Sequence, residues 1–409
     1  MKNELPSSRD RYQAFQARNL KLDMTRGKPG PELLDLSNPM LTIVDSEHYH
    51  AAGGNDCRNY GILDGLPEAK NLFADYMDVA PEEILIAGNA SLNLMYDEVV
   101  RSMLYGVPGG QSPWIQQGTI KFLCPVPGYD RHFNICSVLG IEMINVPMND
   151  EGPDMHIVEK LVGEDASIKG IWCVPRYSNP NGVIYSDRVI DRFAQMKTAA
   201  PDFRIFWDNA YRHHHLVENP RDQKNLLDAC KSAGVAQRAL MFGSTSKITF
   251  AGGGLSFLAA NKTNMDHTRK YLANQTIGYD KLNQLRHVRF FGDLAGLRKH
   301  MNQHRAILKP KFDAVDSVLT SELDGKDLAH WTRPEGGYFV SLDTRPGLAK
   351  KVVALAADVG VKLTAAGATY PGGIDPEDRN IRISPSLPGL EEIELATEVL
   401  AVCIILASE

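Results

Sequence analysis

A lysine among small hydroxyl residues, just after an apolar run, is the feature that most constrains this chain. Residues 239–242 predict a buried strand, and the next segment, residues 243–250, places Lys247 beside serine and threonine residues. Burial disfavours the ammonium form of a lysine, so its free amine becomes a nucleophile toward aldehydes. Small neighbours leave room for a flat ring, and their hydroxyls can reach a phosphate. The alternative is a solvated lysine in a Ser/Thr turn.

The composition limits what kind of protein this is. A chain of 409 residues, 43% hydrophobic and 23% charged, is long enough for two domains with substantial cores. The net charge of −6 disfavours a broad nucleic-acid surface, which requires clustered Lys and Arg. The six cysteines include no CxxC pair, a pattern typical of a reducing compartment. The N-terminus has no signal-peptide core, and the apolar stretch 399–407 is too short to span a bilayer, so we expect a cytoplasmic protein that binds no membrane.

Short apolar runs alternate with helical patterns through the middle of the chain. The predicted strands are residues 84–87, 120–124, 142–146, 170–174, 205–207, 239–242 and 255–260. Strands separated by helix-length connections imply parallel pairing with helices on both faces of the sheet. The prediction is an α/β fold whose large domain, residues 41–295, contains a mostly parallel seven-stranded sheet.

The pattern changes near Gly292. A long helical stretch over residues 294–323 precedes strand-like runs at 337–342 and 380–384, which predicts a smaller α+β domain over residues 296–409. Residues 1–40 are too few to bury a core of their own. We therefore expect this N-terminal segment to pack on the small domain.

Polar residues follow the first and fourth of these strands. Asn89, Ala90 and Ser91 precede a predicted helix start, where free backbone N–H groups can bind a phosphate, although a helix cap without a ligand fits equally. Asn179 lies in a Pro/Gly turn, where its amide can reach a ring oxygen or serve the turn alone. Because ligands bind at the carboxyl ends of the strands of an open parallel sheet, these residues are candidates for one site.

Asp208 and Tyr211 follow the fifth strand. A carboxylate where a buried strand meets a cleft requires a cationic partner, which can be a ligand, an arginine or a helix N-terminus. Tyr129, in a Pro/Gly segment after the second strand, can stack on a planar ligand or simply pack. Together these residues supply a phosphate cradle, a stacking ring, an amide, a carboxylate and a lysine.

In combination these motifs resemble the class I/II aminotransferases, which are pyridoxal phosphate (PLP) enzymes of fold type I. The matching segments are Asn179-Pro180-Asn181-Gly182, Asp208-Asn209-Ala210-Tyr211, Ser244-x-Ser246-Lys247, Pro334-x-Gly336-Gly337-Tyr338-Phe339 and Arg382. They occur in the family's order and cover nearly the whole chain. More narrowly, residues 25–29, 207–215 and 244–254 resemble the MocR-like branch of bacterial aspartate aminotransferases. The resemblance implies the aspartate aminotransferase-like fold and pyridoxal 5'-phosphate as cofactor.

The resemblance also implies a role for each matching residue. Lys247 is expected to bind the cofactor covalently and to transfer the substrate's α-proton, with Asp208 on the ring nitrogen and Tyr211 and Asn179 on the ring hydroxyl. Tyr129 is expected to stack on the ring, and Arg382 to bind the substrate α-carboxylate. The residues expected at the phosphate are Asn89, Ala90, Ser91, Ser244 and Tyr60 of the partner subunit. This last role implies a homodimer with shared active sites.

The chain departs from the family pattern in two respects. Many relatives have an arginine eight residues after the lysine, near the phosphate, whereas this chain has Leu255 there. A dicarboxylic substrate also requires a second cation, for which Arg26, with Gly27 beside it, is the candidate; a surface ion pair is the alternative role of Arg26. Lys281 and Arg286 are further candidates for this second cation, which they would supply across a dimer interface.

The run of three histidines, residues 213–215, invites a metal interpretation. Strand geometry places His213 and His215 on one face, but no carboxylate or cysteine at ligand spacing accompanies them. We expect these histidines to line the cleft or the sheet face beyond Tyr211, and we expect no metal.

The expected function is a PLP-dependent aminotransferase with a ping-pong mechanism. The preferred donor is aspartate, and the acceptor is a 2-oxo acid such as 2-oxoglutarate. One alternative is an aminotransferase or lyase that acts on another amino acid. Another is a regulatory protein that senses PLP, which we disfavour because about 20 residues precede the segment 23–31, too few for a helix-turn-helix domain.

Overall fold

The computed structural model describes residues 7–409. Its strands are β1 (Leu22–Asp23), β2 (Ile84–Ala87), β3 (Lys121–Val126), β4 (Glu142–Asn149), β5 (Gly152–Pro153), β6 (Ile168–Cys173), β7 (Arg204–Asp208), β8 (Ala239–Ser244), β9 (Ser256–Ala259), β10 (Ala329–Trp331), β11 (Val340–Thr344), β12 (Val361–Lys362) and β13 (Asn380–Ile383). Its α-helices are α1 (Ser8–Gln16), α2 (Pro31–Asp35), α3 (Pro67–Met77), α4 (Ser91–Tyr105), α5 (Asp130–Val138), α6 (Met155–Glu164), α7 (Asp187–Gln195), α8 (Leu226–Ser232), α9 (Lys262–Gln275), α10 (Lys281–Phe291), α11 (Leu294–Leu323), α12 (Ala349–Asp358) and α13 (Leu390–Ser408).

The main sheet has the strand order β2-β9-β8-β7-β6-β3-β4-β5. The five strands from β8 to β4 pair in parallel, and β9 runs antiparallel between β2 and β8. All seven predicted strands are present, and the α/β fold class is confirmed. The predicted number of strands was wrong by one, because β5 adds an antiparallel edge strand of two residues. A two-residue strand is too short to show any alternation of apolar and polar residues.

Alternation along the strands divides the apolar side chains between two layers. In β2, Ile84 and Ile86 contribute to one hydrophobic cluster, while Leu85 contributes to another. In β7, Trp207 belongs to the first cluster and Phe206 to the second. Successive side chains of a strand point to opposite faces of the sheet. Both faces are therefore covered, which explains why these strands consist of continuous apolar runs.

The C-terminal residues form a second assembly around the antiparallel sheet β10-β11-β13. Its cluster includes apolar side chains of α11, α12 and α13, together with Tyr12 and Phe15 from α1. Leu22 of β1 pairs in parallel with Val361 of β12, so the N-terminal segment contacts this assembly through both strand and helix. The numerical division into domains 1–40, 41–295 and 296–409 stays a prediction.

One local expectation was wrong. The strand geometry expected at residues 213–215 is absent, because residues 210–213 form a turn: the N–H of Arg212 donates to the carbonyl of Asn209 (3.3 Å) and the N–H of His214 to that of Tyr211 (3.0 Å). Only His215 reaches an extended partner, through an isolated bridge to Gly336. Among residues 7–409, no helix is long and apolar enough to cross a membrane.

The antiparallel strand β9 provides a test of the packing in the sheet. Leu258 is fully buried in β9, whereas Leu104 in α4 is 49% exposed. We expect Leu258→Ala to lower the free energy of unfolding by about 2–5 kcal/mol, because it leaves a cavity in a close-packed layer. Leu104→Ala, which removes the same atoms, should cost less than about 1 kcal/mol. Urea unfolding followed by circular dichroism measures both, and equal losses would contradict the assigned burial.

Candidate active site

The carboxyl ends of two neighbouring strands place the central residues of the site. β7 ends at Asp208 and β8 at Ser244, and Lys247 follows in a turn. A cavity of about 200 Å³ opens at this edge of the sheet. Eight of the ten predicted cofactor-binding residues line it: Ala90, Ser91, Tyr129, Asn179, Asp208, Tyr211, Ser244 and Lys247. We call this space the inner cavity.

Asp208 is buried and only half satisfied. Its Oδ2 lies 3.2 Å from Nε2 of His132, but its Oδ1 has no hydrogen-bond partner. The His132 ring is held by Trp172, on which it stacks at 4.6 Å with an interplanar angle of 15°. Leaving a carboxylate oxygen unpaired in a buried position is costly. The inner cavity therefore presents an acceptor that lacks a donor.

His132 is a site residue that the sequence did not reveal. It lies three residues after Tyr129, in the first turn of α5, and it carries no motif of its own. Only the order of the strands, which places β3 two positions from β7, brings His132 to Asp208. The edge-to-face contact of Tyr129 with His132, at 4.9 Å between ring centroids, links the predicted stacking residue to this pair.

The Lys247 amine lies in an environment that favours its neutral form. Burial lowers the pKa of Lys247 from its ordinary value of 10.5; the Asp208 carboxylate opposes this shift, and the Arg382 guanidinium adds to it. The amine nitrogen lies 5.1 Å from the ring centroid of Tyr211. A lysine with a lowered pKa has its nucleophilic amine available at lower pH.

Two buried side chains hold the backbone of Lys247. Its carbonyl oxygen accepts a hydrogen bond from the Tyr338 hydroxyl (3.1 Å) and another from Nε2 of His214 (3.1 Å). Burial lowers the pKa of His214 to about 3, so the ring is neutral, and it carries its proton on Nε2 because a carbonyl only accepts. Neither support was predicted, although Tyr338 lies within a recognised motif.

The start of helix α4 forms the predicted phosphate cradle. Ala90 occupies the N-cap position without a side-chain hydrogen bond, so backbone N–H groups of the first turn remain available to an anion. The hydroxyl residues Ser91 and Ser244 line the same space. No arginine lines the inner cavity in the part of the chain that the structure describes, and Leu255 is fully buried.

Asn89 does not line the inner cavity. Its Oδ1 accepts from the N–H of Gly254 (2.8 Å), and its carbonyl accepts from the Ser246 hydroxyl (2.9 Å). A Cβ on Gly254 would lie only 3.0 Å from the backbone nitrogen of Ser246. The Asn89 side chain therefore contacts the glycine-rich loop, and its backbone carbonyl contacts the lysine turn, so the residue joins the two through both groups.

A wider cavity of about 520 Å³ adjoins the inner one and shares Tyr129, Asn179, Tyr211 and Lys247 with it. We call it the outer cavity. Arg382 lines it: its Nη1 donates to Asn179 Oδ1 and Asp130 Oδ1, both at 3.3 Å, and its Nε has no partner. Its Nη2 donates to the Thr364 hydroxyl at 3.4 Å, and because all three contacts are long, the guanidinium can exchange them for a carboxylate.

Arg26 and Gly27 also line the outer cavity. Arg26 is exposed, and a Cβ on Gly27 would lie 2.5 Å from Cζ of Phe339, whose ring lies 4.9 Å from the Arg382 guanidinium carbon. Two further cations that were not predicted, Lys28 and Arg131, line the same space. The outer cavity is therefore rich in positive charge.

The remaining candidates lie elsewhere in the single chain. Lys281 is buried and donates to the carbonyl of Gly61 (3.0 Å), and neither Lys281 nor Arg286 lines the outer cavity. Tyr60 is 83% exposed and lines neither cavity, so its role stays a prediction that requires a second subunit. Over residues 7–409, no group of three His, Cys, Asp or Glu side chains is placed to hold a metal ion.

Comparisons with known proteins agree with this geometry. The family model described as "Aspartate amino-transferase" matches residues 3–409. An aspartate aminotransferase from Corynebacterium glutamicum is 44% identical over 97% of this chain and 92% of the relative. A Mycolicibacterium smegmatis protein, named only provisionally as an aminotransferase, is 49% identical over 97% of this chain and 93% of the relative. The crystal structure of an aspartate transaminase from C. glutamicum superposes with a TM-score of 0.96 at 44% identity, covering 98% of this chain and 94% of the other.

The environment of Lys247 predicts its titration. We expect competitive acetylation of the ligand-free protein, followed by peptide mass spectrometry, to show Lys247 reacting with an inflection below pH 10.5, because burial disfavours its charged form. Asp208→Asn should move this inflection further down, since it removes the charge that stabilises the ammonium. An inflection at or above pH 10.5, or one that the substitution raises, would show that the amine is not in this environment.

Proposed function

Because this chain belongs to the aspartate aminotransferase family and is an aminotransferase, we propose that it transfers the amino group of L-aspartate to 2-oxoglutarate in two ping-pong half-reactions. The observation that carries the proposal is the buried, unpartnered Oδ1 of Asp208 in the same cavity as the Lys247 amine. A ring with a protonated nitrogen and an aldehyde satisfies both groups at once.

The inner cavity fits pyridoxal 5'-phosphate, the cofactor of this family. Asp208 offers an acceptor to the ring nitrogen, and the uncapped start of α4 offers donors to the phosphate. When bound, the cofactor supplies an electron sink for the carbanion formed at the substrate's α-carbon. The other residues proposed to hold it are Ser91 and Ser244 at the phosphate, Tyr129 on the ring face, Tyr211 and Asn179 at the ring hydroxyl, and Lys247 by a covalent bond.

The chain's own groups carry the proton transfers. The Lys247 amine takes the substrate's α-proton as general base and later returns it, and burial, which lowers its pKa, favours the neutral amine that this role requires. His132 donates to one oxygen of Asp208 and so leaves the other for the ring nitrogen. The hydrogen bonds of Tyr338 and His214 to the Lys247 carbonyl fix the backbone from which the amine moves.

The outer cavity supports a dicarboxylic substrate. Arg382 binds the α-carboxylate as a two-donor fork, and Arg26, with Lys28 and Arg131 nearby, supplies positive charge for the distal carboxylate. The C. glutamicum relative named aspartate aminotransferase is consistent with this substrate.

We also propose that the chain belongs to the MocR-like branch, because of residues 25–29, 207–215 and 244–254. We propose further that the protein is a cytoplasmic homodimer, in which the exposed Tyr60 contributes to the partner's site.

A donor panel tests the substrate. Purified enzyme with pyridoxal phosphate and 2-oxoglutarate should form glutamate fastest from aspartate, and slower from alanine or leucine. Arg26→Gln should raise the KM for aspartate on the order of tenfold, because it removes a charge-assisted contact, while leaving the KM for alanine unchanged. Lys299→Gln, which removes an exposed charge that lines neither cavity, is the control. Turnover with another donor but none with aspartate would reject the substrate and keep the reaction class.

Asp208 and Asp130 should affect different kinetic constants. Asp208→Asn should lower kcat by about a hundredfold or more, because the neutral amide cannot keep the ring nitrogen protonated. Asp130→Asn removes the negative charge 3.3 Å from Nη1 of Arg382 and should change mainly the KM for the amino acid. Steady-state kinetics of both variants measure kcat and KM separately. An Asp208→Asn enzyme with the kcat of the unmodified protein would contradict the role assigned to Asp208.

A further inference from the structure

A third cavity, of about 890 Å³, lies beyond the segment 211–215 and shares no lining residue with the inner or the outer cavity. Its walls are the C-terminal end of α3, the segment 212–223 and the first part of α11. The volume lies in the range of small-molecule binding sites. We call it the basic cavity.

Of the five arginines that line the basic cavity, four have few partners. Arg176 is 7% exposed; its Nη2 donates to the carbonyl of Arg221, and its buried Nε has no partner. Arg212 and Arg298 form no ion pair within 4.0 Å in the part of the chain that the structure describes. Arg305 donates to the carbonyl of Val217, with its nearest carboxylate, that of Glu218, at 4.0 Å. Arg298 is exposed, whereas Arg176 is buried and Arg212 is half-buried, and buried arginines are normally paired with anions.

The acidic residues of the basic cavity offset these charges only in part: the Asp78 carboxylate opposes the lowering of the Arg212 pKa by burial, and Glu218 lies 4.0 Å from Arg305. The four of them, Asp75, Asp78, Glu218 and Asp222, are all exposed to solvent. The side chain of Glu218 is 85% exposed. A fifth lining arginine, Arg221, is occupied by Glu335 at 2.7 Å. Negative charge therefore lies at the exposed rim, while the buried Arg176 and half-buried Arg212 remain inside.

Two histidines, His213 and His215, complete the wall of the basic cavity, and burial lowers the pKa of both. The pKa of His215 is lowered to about 4, first by burial and then by the charges of Arg176, Arg298, Arg305 and Arg212. Nδ1 of His215 lies 2.7 Å from the Tyr177 hydroxyl, so its Nε2 stays free for another partner. Four arginine side chains thus lie near enough to His215 to disfavour its charged form, and an anion bound among them would lessen their mutual repulsion.

We propose that the basic cavity is a second binding site, for a small polyanion that carries phosphate or carboxylate groups. Arg176, Arg212 and Arg298 supply the forked donors that such groups accept. The volume admits a metabolite-sized molecule, and the rim acids disfavour occupation by a long acidic chain.

The position of the site connects it to the catalytic lysine. Along the segment 211–215, Tyr211 lines the inner cavity, while His213 and His215 line the basic cavity. Between them, His214 donates to the carbonyl of Lys247. A polyanion bound in the basic cavity would therefore contact one side of this turn. The other side of the turn holds the backbone of Lys247. The binding site itself does not depend on which amino acid is the substrate.

Isothermal titration of the holoenzyme at constant ionic strength tests the proposal, because the cofactor already occupies the phosphate cradle. Pyrophosphate and citrate serve as the two probes, with acetate as the monovalent control. We expect saturable binding of at least one polyanion, weakened on the order of tenfold by Arg298→Gln or Arg212→Gln. Preference for pyrophosphate would identify a phosphate ligand, and preference for citrate a polycarboxylate ligand.

Two control variants separate this site from the rest of the surface. Lys299→Gln removes one charge from the neighbouring position of α11, outside the basic cavity, and should bind like the unmodified enzyme. Arg382→Lys alters the substrate site and should leave polyanion binding unchanged. The proposal is overturned if neither polyanion binds, if Arg298→Gln and Arg212→Gln bind as the unmodified enzyme does, or if binding is lost in Arg382→Lys.

Discussion

The site depends on one buried carboxylate that the protein satisfies on only one side. His132, held by stacking on Trp172, pairs with Oδ2 of Asp208, and nothing in the described chain pairs with Oδ1. Holding a charged oxygen in this state costs free energy, which binding of a protonated ring nitrogen offsets. The same carboxylate stabilises the charged form of Lys247, while burial and Arg382 act in the opposite direction. The carboxylate and the amine therefore have to be considered as one unit.

Close backbone packing keeps this unit in place. The turn that carries Lys247 is joined to the glycine-rich loop through Asn89, and the approach is so tight that Gly254 has no room for a Cβ without displacement. On the opposite side, Tyr338 and His214 hold the carbonyl of the lysine. The turn is thus constrained from two directions by hydrogen bonds to fixed groups. The freedom needed for proton transfer then lies in the lysine side chain rather than in its backbone.

The sequence predicted the strand ends well, because the change from an apolar run to a polar residue, such as Asp208 or Ser244, marks the end of a buried strand locally. It missed the edge strand β5, because a two-residue strand has no periodic pattern. It also suggested strand geometry at residues 213–215, because the hydrogen bonds of the turn before them leave no pattern in the sequence. It also missed His132, since the contact with Asp208 depends on strand order, which no short motif encodes. The resemblance did not reveal that the Asn89 side chain bonds to Gly254 in the glycine-rich loop, because that contact depends on how two distant segments pack; its role at the phosphate stays a prediction.

The central claim is that a single ring lies between the amine of Lys247 and the carboxylate of Asp208. Borohydride reduction of the holoenzyme, followed by peptide mass spectrometry, tests it most directly, because reduction makes a covalent lysine–cofactor bond permanent. The account predicts that the mass of the reduced cofactor is found on the peptide that contains Lys247, and that Lys247→Ala carries no such adduct and is inactive. Cofactor attached to any other lysine, or full activity in Lys247→Ala, would contradict it.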